Sequence, residues 1–188
     1  MADLVTLQEY KNYVGITNPN QDTQILSIIP KVSSFVKTYC NRGFLEYVSD
    51  PKTEVFAGGY RYLLKEFPVL QILSLEYSSD YGNNYVELTE FQEWVFDNST
   101  GEVAPVGVLS EFDGKPNSYK ITYFAGFESL PGDLKLAVLD LVTYYLRNDS
   151  AIHSTKAPGS NSVQIEYIST TNLPSHIKRV LDLYVNYY

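Results

Sequence analysis

Tyr123 to Leu146, YFAGFESLPGDLKLAVLDLVTYYL, decides how the rest of the chain is read. The stretch opens as a strand that stops at Gly126, restarts as a helix after Pro131, and then stays apolar on more sides than a surface helix needs. Steps of about 100° per residue place Asp133, Lys135, Asp140, Thr143 and Arg147 within an arc of roughly 160°. Leu134, Ala137, Val138, Leu141, Tyr144 and Tyr145 fill the opposite side. Leu139, Val142 and Leu146 widen that sector, and Leu136 falls among the polar positions. A surface helix carries a stripe of roughly 100°, so this one should touch neighbours on a second side. Either it is the central helix of its own bundle, or Leu136, Leu139 and Leu146 form a face that packs on another copy of the chain. The two readings are compatible.

Upstream, Thr6-Leu7-Gln8-Glu9 is a capping box that starts a short helix from Leu7 to about Val14, ending at Gly15. After TNPNQ, Asp22 or Thr23 is the expected cap of a second helix. Its apolar residues Ile25, Ile28, Ile29, Val32, Val36 and Tyr39 form one stripe, and it ends near Asn41 and Gly43. Pro30 lies inside this pattern, where a kink is expected and not an end.

From Phe44 to Thr122 the period changes to two. TEVFA, YRYLLKEF, VLQILSLEYS, YVELT, FQEWVFD and YKITYF read as strands, with GG, DYGNN, NSTGE and EFDGKPNS as connections and Pro68 at a strand boundary. Beyond the signature helix come the polar stretch NDSAIHSTKAPGSNS, read as a tether, a possible strand VQIEYI, and a helix after Pro174. The two late helices open alike, with proline expected at the first helical position.

The fold class is therefore α+β: a small bundle of about four helices with an inserted antiparallel β-sheet and a C-terminal extension. Residues 1–43 with 123–149 form the helical core, 44–122 the β-rich insert, and 150–188 the tether, strand and last helix. At 188 residues the chain suits one domain with a substantial core better than two.

Composition narrows the functions. A formal charge of −8 disfavours a nucleic-acid reader, which needs Lys and Arg against phosphates. The opening MADLVTLQEYKNYV has neither the basic segment nor the apolar run of a signal peptide, and no uncharged apolar stretch nears the roughly 20 residues of a membrane span. The single Cys40 excludes an internal disulfide and a cysteine-built zinc cluster, and reads as a small buried residue at a helix end.

Catalytic signals are sparse. His153 and His176 sit in no ligand pattern and read as surface histidines. DYGNN lacks the spaced acids of a calcium loop and reads as a hairpin turn. Glu90 and Glu93 beside Trp94 suggest a sugar-cleaving pair, yet at that spacing on a strand they point to opposite faces. No catalytic, metal or cofactor site is expected.

The ordered set of motifs resembles the head-to-tail connector (adaptor) proteins of tailed bacteriophages, in particular the longer members with a β-rich insert. The resemblance rests on the capped first helix; a second helix ending Tyr39-Cys40-Asn41-Arg42; the Pro68-Val69 strand start; Tyr123-Phe124-Ala125-Gly126; and Leu130 to Ala137 opening a helix that closes on Tyr144, Tyr145 and Arg147. It covers most of residues 4 to 149, and Pro30 departs from it.

The resemblance implies a structural virion protein and no enzyme. Such a protein forms a ring, usually dodecameric, beneath the portal protein. The ring extends the DNA channel, through which packaged DNA passes without specific contacts, and docks a head-closure or tail protein. It would assemble in the bacterial cytoplasm and reside in the virion neck. The C-terminal segment is then the expected portal contact, through Val163, Ile165, Tyr167, Ile177, Leu181, Tyr184, Tyr187 and Tyr188. A second class stays open: a monomeric ligand- or peptide-binding module using the Tyr-rich sheet and Trp94 as a platform.

Overall fold

The computed structural model describes residues 2–107, 112–147, 153–156, 163–166 and 173–186. Although its length suits one domain, the chain divides into two compact units, Met1–Asn41 with Leu130–Tyr187 and Arg42–Ser129. The described residues mix four helices with antiparallel sheets, the α+β class expected from the periodicity.

The helical unit begins with α1 (Leu7–Val14), whose start is the expected capping box. The Glu9 amide donates to Thr6 Oγ1 at 3.2 Å, and the Thr6 amide donates to Glu9 Oε2 at 2.8 Å. Gly15 ends the helix at φ 72°, a left-handed turn that glycine adopts without steric penalty. Helix α2 (Asp22–Cys40) starts differently from the expectation. Its N-cap is Gln21, with no side-chain cap, because Asp22 is the first helical residue and its carboxylate is held by Lys11 Nζ at 2.8 Å. A carboxylate there still complements the positive end of the helix dipole. The helix runs on through Pro30.

Helix α3 (Gly132–Leu146) buries Leu134, Ala137, Val138, Leu139, Leu141 and Val142, and α4 (Ser175–Asp182) buries Ile177 and Leu181. Each is preceded by its proline as N-cap, one position before the first helical residue. Helix α2 packs on α1, α3 and α4, and α3 also packs on α4. The wide apolar sector of α3 thus has two helices to cover it within the chain. Long-range hydrogen bonds fix the arrangement: Tyr10 Oη with Thr143 Oγ1 at 3.1 Å, Tyr13 Oη to Asp140 at 2.7 Å, and Tyr39 Oη to Asp182 at 2.5 Å. The Asn186 amide donates to the Cys40 carbonyl at 2.8 Å, tying the segment after α4 to the end of α2.

The polar stretch read as a tether contains a strand. There β8 (His153–Lys156) pairs antiparallel with β9 (Val163–Glu166), His153 opposite Glu166 and Lys156 opposite Val163. HSTK has no apolar alternation, so periodicity misses it.

The second unit holds two antiparallel sheets where one was expected. One has the order β1 (Lys52–Phe56), β7 (Tyr119–Ala125), β3 (Val69–Tyr77), β4 (Val86–Glu87); the other has β2 (Tyr62–Leu63), β6 (Glu102–Pro105), β5 (Trp94–Asp97). Strand β6 lies partly in the segment read as a connection. Only Asn98–Gly101 turns, with the Gly101 amide donating to the Asp97 carbonyl at 2.8 Å, and EVAP is too short to show a period.

The run YRYLLKEF yields only two strand residues because its later amides turn to side chains: Lys65 N donates to Glu54 and Glu66 N to Tyr123 Oη at 3.2 Å. Pro68, after a cis peptide bond, immediately precedes β3. Phe56, Leu75, Trp94, Val103, Phe112, Tyr119 and Ile121 are among the residues that make this unit's core, with the Phe56 and Tyr62 rings stacked 3.8 Å apart.

Candidate interaction surfaces

Among the three α3 residues expected to meet a second copy, Leu136 is 48% exposed and Leu139 only 6%. Leu146 is half-buried. The helical unit itself encloses Leu139, so the open part of this set is Leu136 with a share of Leu146. Near the C-terminal end of α3 lies a feature that sequence reading missed. Ile28, Lys31, Val32 and Phe35 of α2, spaced i, i+3, i+4 and i+7, join Tyr145 of α3 around a groove of about 450 Å³. The spacing is legible in the sequence, but the groove exists only because α3 ends beside it.

The C-terminal set divides. Val163 and Ile165 lie on β9 and are already paired with β8 of the same chain. Ile177 and Leu181 are buried, so they hold α4 against its own unit. Tyr184 is half-buried, and its hydroxyl donates to Asp133 at 2.7 Å. Tyr167, Tyr187 and Tyr188 lie outside the described residues.

In the sheet unit, three of the motifs quoted above meet at one place. Arg42 is buried and its guanidinium lies over the rings of Phe67, Phe44 and Phe127, with centroid distances of 4.0, 5.3 and 5.6 Å. It also donates to the Phe67 carbonyl. The Gly126 amide donates to the Pro68 carbonyl and the Phe127 amide to the Phe44 carbonyl, each at 2.8 Å. These residues are a structural knot and not a reactive site.

A second polar cluster, unsuspected from sequence, surrounds the buried Glu54. Its carboxylate accepts from Tyr123 Oη at 2.6 Å and Tyr62 Oη at 2.9 Å, with Lys52 Nζ at 3.2 Å. Burial first, then Glu54, pushes both phenols far above their ordinary value, so they stay protonated donors.

The weak chemical candidates find ordinary partners. Asp80 accepts from Ser78 Oγ at 2.6 Å and from the Asn84 amide at 2.8 Å. These bonds, Ser78 foremost, hold its carboxyl down to about 2, and they leave it closing its own turn. Glu93 Oε2 accepts from the Thr89 amide at 2.7 Å, while Trp94 is buried and donates to the Leu88 carbonyl at 3.2 Å. A buried indole offers no stacking platform, so Trp94 does not serve the ligand-binding module that was read from it and the Tyr-rich sheet. His176 is exposed in the first turn of α4. Among the described residues, no cluster of His, Cys, Asp and Glu could hold a metal ion. No described helix is long and apolar enough to cross a membrane.

The fold is shared with chains of solved gene transfer agent particles. One similar structure is the neck of an empty gene transfer agent particle computed with C6 symmetry, at TM-score 0.61 and 15% identity, covering 98% of this chain and 91% of that one. A second is the neck of the native particle computed with C12 symmetry, at TM-score 0.59 and 14% identity, covering 100% of this chain and 95% of that one. At such identity the likeness is one of fold. No curated protein sequence matches the chain. The family model described as "Head completion protein" matches residues 3–187, which spans both units and the C-terminal hairpin. By that match the chain belongs to the head completion protein family, and it is a structural protein of the virion and not an enzyme.

Proposed function

We propose that copies of this chain close into a ring in the neck of the particle, below the portal, where the ring extends the DNA channel and docks a tail or head-closure protein. The observation that carries the reading is the shared fold over nearly the full length of proteins in necks of C6 and C12 symmetry. A cyclic assembly needs two different surfaces on each subunit, and the helical unit offers the exposed Leu136 and the α2–α3 groove. The net charge of −8 suits a channel through which DNA slides, since a basic lumen would retain it by phosphate contacts.

The test is mass measurement and negative-stain imaging of the purified chain, alone and with isolated portal rings. Rings, formed alone or on the portal, are the expected result. A monomer indifferent to portal would remove the proposal.

A further inference from the structure

The most exposed aromatic groups of the sheet unit are Tyr60 and Phe91. Of the two, only Phe91 has a positive φ. It is 76% exposed and has φ +62°, a left-handed conformation unfavourable for any residue with a Cβ. The turn that holds it is closed from within. Its own amide donates to the Trp94 carbonyl at 2.7 Å, and the Thr89 carbonyl accepts from Gln92 N at 3.3 Å and Glu93 N at 3.0 Å. The turn is also braced from outside, with Val106 N donating to the Glu93 carbonyl at 2.9 Å. At Gly107 the backbone runs so close that a Cβ would meet the Gln92 carbonyl oxygen at 2.3 Å. A strained, braced turn that holds a bare phenyl ring in water has no role in its own unit's core. Such strain tends to persist where a surface is used.

The α2–α3 groove has the complementary chemistry. Phe35 and Tyr145 line it with aromatic rings, Ile28 and Val32 with aliphatic side chains, and Lys31 adds an exposed cation. Next to the phenyl ring on the turn stands Glu90, exposed and of opposite sign. We infer that Phe91 of one copy seats in the Ile28–Val32–Phe35–Tyr145 groove of the next, with Glu90 facing Lys31. The occupant is a second copy of this chain because the charges match and because knob and groove are different surfaces on one subunit. Such a contact repeats head to tail and does not stop at a pair. A preorganised aromatic side chain entering a pocket is also the usual form of an interface hot spot.

The inference rests on the ring reading and is tested so that the two can fail separately. Ring formation is measured by mass and negative stain, alone and on isolated portal rings, for the wild type, Phe91→Asp, Lys31→Glu and the double variant Lys31→Glu/Glu90→Lys. All three positions are exposed, and circular dichroism checks that each variant folds. Phe91→Asp and Lys31→Glu should each weaken association by about tenfold or more. Glu90→Lys, by restoring the opposed charges, should recover most of what Lys31→Glu loses. Wild-type rings with undiminished rings from Phe91→Asp would overturn the contact and leave the ring reading standing. A loss in Lys31→Glu that neither Phe91→Asp reproduces nor Glu90→Lys repairs would assign the groove to another occupant and also overturn it. A wild type that stays monomeric even with portal removes both proposals.

Discussion

The guanidinium of Arg42 lies 4.0 Å from the centre of the Phe67 ring and donates to the carbonyl of that same residue. The planar fork is therefore used twice, as a face over aromatic rings and as an edge to a backbone oxygen. Lysine matches only the charge. Arg42→Lys should lower stability by about 2 kcal/mol, from lost stacking and a poorly matched buried donor. Urea denaturation of the full chain measures this, and an unchanged midpoint would show that the knot is not stabilising.

Gly126 and Gly15 are both at positive φ, 109° and 72°, but only Gly126 is crowded. A Cβ there would lie 2.2 Å from the Phe44 carbonyl oxygen, whereas one at Gly15 meets nothing within 4 Å. Gly15→Ala should cost about 1 kcal/mol, the conformational penalty alone. Gly126→Ala should cost more, about 3 kcal/mol, because backbone must also move. Equal melting temperatures for the two variants would contradict this.

Leu136 and Leu139 separate core from surface on one helix. Leu139→Asp buries a carboxylate among apolar side chains and should unfold the helical unit, read as lost helical circular dichroism or a melting temperature lower by many degrees. Leu136→Asp should change stability by less than about 0.5 kcal/mol. If Leu136 meets the next copy, its variant nevertheless reduces ring yield, and full rings from Leu136→Asp would take that residue out of the interface.

The β8–β9 hairpin is the part of the C-terminal section that the helical core does not need for its described contacts. Replacing residues 150–172 with a Gly/Ser segment of equal length should leave the melting temperature within a few degrees, since the buried Ile177 and Leu181 remain. If Val163 and Ile165 contribute to portal binding, as the family resemblance implies, co-sedimentation with portal rings should be lost. Undiminished co-sedimentation would place the portal contact elsewhere.

Stability should fall at both ends of the pH scale. Lys135 chiefly, then the Thr6 amide, holds the Glu9 carboxyl below its ordinary 4.5, and Lys178 does the same for Asp182 from 3.8. A lowered carboxyl stabilises the fold above its ordinary value, and that stabilisation disappears as pH drops through the folded value. Burial and Glu54 raise Tyr62 and Tyr123 from 10.0, so their contribution is complete below that value and lost as pH rises beyond it. Melting temperature should be flat from about pH 5 to pH 9 and decline on either side. Glu9→Gln should shallow the acid limb, and an identical limb would exclude Glu9 as a contributor.

Local grammar made much of this fold readable. Thr6 and Glu9 announce α1 from four consecutive residues, and Ile25 to Tyr39 announce α2 by spacing alone, because both signals are complete within one element. What stayed hidden depends on residues far apart in sequence. Nothing in the strand TEVFA marks Glu54 as buried, because Tyr123, 69 positions away, supplies the hydroxyl that lets it be so. Helical periodicity makes Leu139 and Leu146 equally apolar, and packing of α4, from a later part of the chain, decides that α3 needs its extra breadth inside the subunit. Phe91 lay in a run read as strand, where nothing distinguishes a ring pointing inward from one raised on a strained turn.

The helical unit is assembled from both ends of the chain, whereas Arg42–Ser129 is continuous. During synthesis every residue of the sheet unit is therefore made before α3, whereas α2 has only α1 beside it until α3, and then α4, have followed. If Phe91 seats in the α2–α3 groove of a neighbour, the order of synthesis supplies the knob before Tyr145 completes the groove that receives it.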